Sequence, residues 1–449
     1  MVLSTEYNIR GVNSIRPADL AARLDSESGA APFVLDIRPE SAFRADAIDR
    51  ETTPYLADRV AGTAVTPAPW TFPAVASLVT GQYPHEHGAM RTSDAADRGA
   101  TDLVLPPDLP EDRQTLPEVF AAAGYDTYGG FAFHMPFFAL GGRFESHALY
   151  DDASAANVLG DFADWFARRD DERTFSYLHL GDLHEPVDPP ARYWGEHDVD
   201  RDVDGLPRWR YETDSDPGPE GEHYREHRRR LYSAAADYVD DRLAALADAV
   251  TGRDDVALVV TADHGHNLGY EADDGLFHHT ASMTEGVLHT PLEIINPPPG
   301  YPETETRLFS HLDLGELLVA IAGERPPEDA WFPGRIPAET VGLLGGENAT
   351  WGREFSDEEF AWWNRMMRCV YEGTTKRQWN SVGDREEYEL DPARPSWQSR
   401  TATGVEIPAA DRALFETPLD DYKASAAAAE QDTDFDDAVA DRLEQLGYL

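Results

Sequence analysis

Asp263 and His264 stand side by side at the end of an apolar run that begins at Val256. In α/β proteins catalytic groups gather where parallel strands end. A carboxylate beside an imidazole at such a place makes a pair of ligands for a divalent cation. Three further sets of residues could complete a site. Asp36 ends the apolar stretch Phe33, Val34, Leu35 and is a second strand-end carboxylate. Thr71 lies in a loop between Pro67 and Pro73, ahead of a helix expected over 74–79. Helix N-terminal amides there would favour an anion; the plainer alternative is an N-cap threonine. Threonine is a weak nucleophile unless a metal or a base activates it. The third set is histidines on loops that follow strands: His134, His184, His278, His279 and His289. His85 and His87 are expected to be structural parts of the turn after the helix.

The elements that must position these groups alternate between strands and helices. Strands are expected to end at Ile37, Phe133, Leu180, Ala262 and Ile295, and helices to cover 17–25, 116–123, 154–168, 223–250 and 311–322. Ser154 is read as the N-cap of its helix. Residues 185–222, rich in Pro, Asp and Gly, read as an elaborated loop. This alternation predicts a mostly parallel sheet sandwiched by helices, an α/β fold. Gly342–Asn348 reads as a linker. Beyond it come short strands at 368–371, 377–382 and 386–390, a small antiparallel sheet. Phe435, Val439, Leu443 and Leu446 form one stripe of a closing helix. The expected division is a catalytic domain over 1–345 and an α+β subdomain over 346–449.

Acidic residues outnumber basic ones 84 to 38, a formal charge of −46, and lysine occurs only at 376 and 423. The acids are scattered in clusters and do not form one tail. A solvated acidic surface suits a protein working at high salt, where screening over roughly 3 Å at 1 M makes self-repulsion tolerable. Nucleic acid and anionic membranes are poor partners for such a field. The lone cysteine, Cys369, excludes an internal disulfide framework. No apolar run approaches the roughly 18–20 residues of a membrane span, and residues 1–30 lack a signal-peptide core. The expected setting is the cytoplasm of a halophile, and the resemblance described next implies a halophilic archaeon.

Taken in order, these residues resemble the sulfatase branch of the alkaline phosphatase superfamily, in a haloarchaeal type, over about residues 33–395. Thr71 to Gly88 are similar to its nucleophile helix, with Ser77, Leu78, Thr80, Gly81, Tyr83 and Pro84 on its signature positions. Thr261 to Gly265 are similar to its Ala-Asp-His-Gly metal motif, and Phe175 to Pro190 to its His-x-Pro stretch. The likeness continues through Asp49 to Pro54 and Tyr232 to Asp241, which places Asp36 at the family's first metal-binding aspartate. Formylglycine sulfatases carry Cys or Ser where Thr71 stands and Arg where Val75 stands. Thr71 resembles instead the threonine nucleophile of nucleotide phosphodiesterases and phosphoglycerol transferases. The family's substrate-binding lysines fall at Ala132 and near His279. Asp182 and His184 are too close to match the pair that holds a second metal in phosphodiesterases.

The resemblance implies one divalent ion, Zn or Mn ahead of Ca or Mg, on Asp36, Asp263, His264 and Thr71. His184 or His279 would protonate the leaving alcohol, and His134, His184, His279 and His289 would bind the ester. The substrate would be a phosphate mono- or diester of a small molecule, glycan or lipid-linked group. A sulfuric ester hydrolase without formylglycine and a non-catalytic relative are the alternatives.

Overall fold

The computed structural model describes residues 31–36, 53–57, 62–89, 109, 113–140, 143–150, 152–169, 172–208, 210, 218–250, 255–277, 279, 281–301, 307–326, 334–340, 349–350, 353–354, 356–363, 365–392, 394, 396–415 and 418–419. The expected helix at 17–25, the linker and the closing stripe from Phe435 lie outside them.

Eight strands make the main sheet: β1 (Ala31–Asp36), β2 (Gly62–Val65), β3 (Asp126–Phe131), β4 (Ser146–Leu149), β5 (Thr174–His179), β6 (Val256–Thr261), β7 (His289–Ile295) and β8 (Leu308–Ser310). Their order is β4-β3-β5-β1-β6-β7-β2-β8. Every neighbouring pair is parallel except those made by β7, which runs antiparallel to β6 and β2. The fold is therefore the expected α/β arrangement with a mostly parallel sheet.

Both faces are covered, which is why β6 is apolar without alternation. Val256, Leu258 and Val260 pack into the core under the helix Gly218–Val250. Ala257 and Val259 pack into the opposite core, with residues of the helices Thr71–Thr80 and Leu314–Ala322. Each fully buried Val or Leu contributes about 1.5–3 kcal/mol.

The long helix also holds the segment that follows β1. Asp240 accepts the amides of Tyr55 (2.8 Å) and Leu56 (2.9 Å), satisfying the first turn of the short helix Pro54–Ala57. The helix Ala155–Phe166 is capped from outside as well. Ser154 occupies the N-cap position but its side chain makes no cap bond; Asp182 Oδ2 accepts the Ala155 amide at 2.8 Å instead. Burial pushes the Asp182 carboxyl up to about 7.

Five antiparallel strands form the second sheet, in the order β15-β14-β13-β12-β9. They are β9 (Ile336–Thr340), β12 (Met367–Glu372), β13 (Thr375–Asn380), β14 (Arg385–Leu390) and β15 (Gln398–Thr403). A two-stranded ribbon pairs β10 (Ala349–Thr350) with β11 (Arg353–Glu354). The edge strand β9 comes from residues ahead of 345. A shared apolar cluster of Val65, Met283, Leu288, Ile336, Met367 and Tyr371 seats this sheet on the main one. Cys369 is buried in the same cluster, and burial pushes its thiol up to about 12, so it is no nucleophile at neutral pH. Among the described residues no helix is long and apolar enough to cross a membrane.

His87 illustrates how the turn after the Thr71–Thr80 helix is held. Its Nε2 bonds Ser77 Oγ at 2.9 Å and its Nδ1 accepts the Ala89 amide at 3.0 Å. Burial drives its pKa down to about 3. The native state keeps this ring neutral, while the unfolded chain protonates near pH 6.5. Below that pH the unfolded state binds more protons, so stability falls as pH drops from 6.5 toward 3. The loss approaches about 1.4 kcal/mol per pH unit in the middle of that window. His87→Gln can keep both hydrogen bonds without a titrating ring. Its denaturation midpoint should therefore lose less than the parent's between pH 6.5 and 4.5; parallel curves would refute the assignment.

Candidate active site

The strand register brings three chain segments to one edge of the sheet. Asp36 closes β1 and lies between His179 at the end of β5 and Thr261 at the end of β6. The Asp36 side chain lies outside the described residues. Two residues past Thr261, Asp263 and His264 form a buried turn. Asp263 Oδ1 accepts the His264 amide at 2.7 Å, which fixes the carboxylate against its own turn. His264 Nδ1 lies 2.7 Å from the Gly265 carbonyl. A carbonyl only accepts, so Nδ1 carries the hydrogen and the lone pair of the neutral ring is on Nε2. Metal-bound histidines are oriented in this way. The described donors at this edge, the Asp263 carboxylate and an imidazole with its tautomer set, fit a divalent transition metal.

Gly265 is required by close approach. A Cβ there would meet the Gly286 carbonyl oxygen at 2.0 Å and Val287 Cα at 2.7 Å, both backbone atoms. The same contact carries the Gly265 amide to the Val287 carbonyl at 2.5 Å. The Asp263–His264 turn is thereby pinned to the segment that leads into β7. Below it, Thr261 Oγ1 donates to Pro291 O at 2.8 Å and meets His311 Nε2 at 3.0 Å. Burial lowers His311 to about 3, leaving it a neutral hydrogen-bonding spacer.

Thr71 is not the N-cap of its helix. Trp70 holds that position, and Thr71 is the first helical residue, fully buried. The helix starts three residues earlier than expected because Pro73 fits within a first turn, where its missing N–H costs nothing. The approach to Thr71 is set by the Thr66 amide on Leu288 O (3.0 Å) and the Glu339 amide on Pro67 O (2.9 Å). Val65, at the end of β2, pairs with His289, the first residue of β7. Thr71 thus sits on a positive helix terminus, hung from the strand that neighbours His289.

The histidines fall into two groups. His264 and His279 stack with ring centroids 4.7 Å apart, and His279 Nδ1 meets His266 Nδ1 at 3.1 Å. One ring donates and the other accepts. His266 belongs to this cluster although its position in the sequence suggested no role beyond its neighbourhood. On the other flank His184 stacks on Phe133 at 4.5 Å, and Phe133 meets His179 edge-on at 4.9 Å. His134 opens the helix His134–Leu140 and stacks on Phe138 at 5.9 Å. His278 lies outside the described residues. Asp182 is occupied as a helix cap, so it is poorly placed to serve a second metal.

His289 is held by a buried ionic chain. Its Nδ1 lies 3.1 Å from Glu285 Oε2. Glu285 Oε1 accepts from Lys376 Nζ at 2.7 Å and from the Tyr371 hydroxyl at 2.8 Å. Burial alone would raise the Glu285 pKa, but Lys376 and His289 hold it below the usual range. His289 Nε2 is buried without a hydrogen-bond partner among the described residues. As expected, His85 and His87 serve structure: His85 Nδ1 bonds Glu339 at 2.6 Å, and Arg368 meets the same carboxylate at 3.1 Å. A cavity of about 530 Å³ opens between the 274–284 loop and the second sheet, with Trp362, Trp363, Arg365, Glu386 and Arg400 in its wall.

Comparison with known proteins gives the family and the fold. The sulfatase family profile matches residues 41–324. No curated protein matches the chain. A phosphonate monoester hydrolase of Agrobacterium radiobacter superposes with a TM-score of 0.57 at 15% identity, covering 82% of this chain and 91% of that one. A 2-O GAG sulfatase superposes at 0.56 and 15% identity, covering 91% and 95%. A structure solved with its substrate D-glucosamine-2-N,6-O-disulfate gives 0.55 and 15%, covering 83% and 93%. At such identities the likeness is one of fold.

Proposed function

The chain belongs to the sulfatase family, an ester hydrolase in class, and from that premise we propose that it cleaves phosphate mono- or diesters through Thr71. The observation that carries this reading is Thr71 itself, buried at the start of its helix. A formylglycine forms from a residue with a primary Cβ, a thiol or alcohol that can become an aldehyde. Threonine carries a secondary alcohol and cannot. A covalent adduct on Thr71 must therefore be resolved by attack on the transferred group, which suits phosphorus.

A divalent ion, Zn or Mn by donor type, would be held by Asp36, Asp263, His264 and Thr71, and when bound would favour ionisation of the threonine hydroxyl and offset charge on the ester. The chain's own groups do the rest. Thr71 Oγ attacks phosphorus, and the bond from phosphorus to the leaving oxygen breaks. His279 or His184 gives that oxygen a proton. Water then attacks phosphorus, the Oγ bond breaks, and Thr71 recovers its proton. His134 and His289 are proposed to hold the ester oxygens in place of the lysines the family uses.

The protein is proposed to work at high salt in the cytoplasm of a halophile. The test is turnover of nitrophenyl phosphate, bis-nitrophenyl phosphate and nitrophenyl sulfate in molar salt, after chelation and reloading with Mn or Zn. A phosphate ester should be the preferred substrate, activity should need the metal, and it should fall as salt is diluted. Turnover of the sulfate alone would overturn the reading.

A further inference from the structure

Three features lie beside the residues proposed to act on the ester. The cavity near Trp362 is lined, among the described residues, by none of those residues, and the buried Lys376–Glu285 chain supports His289. The third lies on the outer flank of the long helix. His223 and His227 are spaced i, i+4, which places both rings on one face, and their centroids are 4.7 Å apart with the rings edge to face. Asp200, from the turn after the helix Ala191–Glu196, completes a trio whose ligand atoms all lie within 4.8 Å of one another. The opposite face of the same helical turns looks elsewhere: Arg225 and Arg229 reach Gly275 O and Leu268 O beside the active-site loop.

We propose that Asp200, His223 and His227 form a second metal site, which binds a divalent transition ion and fastens the 197–206 turn to the long helix. Two imidazoles and one carboxylate select Zn, Ni, Co or Cu over Mg and Ca. Tetrahedral ligands about 2.0–2.1 Å from an ion stand closer together than 4.8 Å. Asp200 and His223 are exposed and can rotate to close that gap, while His227 is the buried anchor. The His227 Nδ1 lone pair already points at residue 200, accepting its amide at 3.1 Å. An ion there exchanges one hydrogen bond for coordinate bonds. Water or chloride would fill the outward position.

The same turn is already tied to the long helix elsewhere, as where Arg228 donates to Leu206 O at 2.8 Å. His197 Nε2 meets Asp237 at 2.9 Å, and Arg230 donates to Asp198 O at 3.0 Å. An ion on Asp200 would add a further fastening to the excursion that separates β5 from the long helix.

The experiment is equilibrium dialysis of the chelated full chain against Co²⁺ or Zn²⁺ in molar salt, with melting curves on the same samples. Four proteins are compared: the parent, His223→Ala, Asp200→Asn, and Asp263→Asn/His264→Ala. The parent should bind one equivalent more than His223→Ala, and Asp200→Asn should weaken that equivalent at least tenfold. The Asp263→Asn/His264→Ala protein should retain it, which separates this site from the strand-end one. Added Zn²⁺ should raise the melting temperature of the parent by more than that of His223→Ala, and should still raise that of the Asp263→Asn/His264→Ala protein. Equal binding by parent and His223→Ala would overturn the proposal; Asp200 and His223 are exposed, so the two variants that decide it should fold.

Discussion

Thr71→Ala should lose at least about 10⁴-fold in kcat on the best phosphate ester while its melting temperature changes little. Losses of that size follow when the atom that forms the covalent intermediate is removed, because the remaining groups can only position and polarise. The stability cost should be small. Thr71 is fully buried, but it lies at a helix terminus, and truncation to alanine removes one methyl and one hydroxyl, about 1 kcal/mol. Thr71→Ser is the control. It restores an Oγ at the same helix position and should recover activity to within about tenfold of the parent. Trapping with a slow substrate adds a second readout: phosphate should remain on Thr71 in the parent and be absent from the alanine variant. A Thr71→Ala protein with more than a tenth of parental turnover would remove Thr71 from the chemistry and leave the metal turn to act on water.

How much of this was legible beforehand depends on the range of the interaction. The strand Val256–Thr261 and the turn at Asp263 and His264 could be read because an uninterrupted apolar run is local information. Thr71 was found for its residue type and its place in a motif, but the start of its helix was read three residues late. The proline that marked a loop is a helix-start residue in the fold. Ser154 takes the N-cap position of the helix Ala155–Phe166 as read, but the side chain that accepts the Ala155 amide is Asp182, 27 residues on from Ala155. Short strands such as β2 and β8 carry too few residues for periodicity to show. His266 was passed over because nothing local distinguishes a cluster histidine from a solvated one; its partner His279 is 13 residues on. Glu285 and Lys376 were invisible for the same reason, at a separation of 91.

That last pair yields the largest expected effect on stability. Lys376 is one of two lysines in 449 residues, and it is fully buried. A chain that has almost eliminated lysine from its surface keeps this one inside. All three of its protons are used: Met283 O at 2.6 Å, Glu285 Oε1 at 2.7 Å, and Gln398 Oε1. Lys376→Met nearly preserves volume but leaves the Glu285 carboxylate buried without its cation. Breaking a buried pair from one side costs about 3–5 kcal/mol, and Lys376→Met should show a destabilisation of that order in denaturant at pH 8. The pH dependence identifies the cause. In the parent the Glu285 pKa is depressed, so its contribution is present above the unfolded carboxyl pKa and is lost as pH falls through the folded one. In Lys376→Met the folded pKa should rise above the unfolded value, so the variant loses stability as pH climbs from about 4. The deficit should therefore be smaller at pH 5 than at pH 8. Lys376→Met/Glu285→Gln should recover part of it by removing the stranded charge. Activity provides the other half of the argument, since Glu285 also holds His289 at 3.1 Å from its second oxygen. The double variant should regain stability without regaining turnover if Glu285 orients His289 for the ester. Recovery of both together would mean that the chain is only a structural rivet between the two sheets.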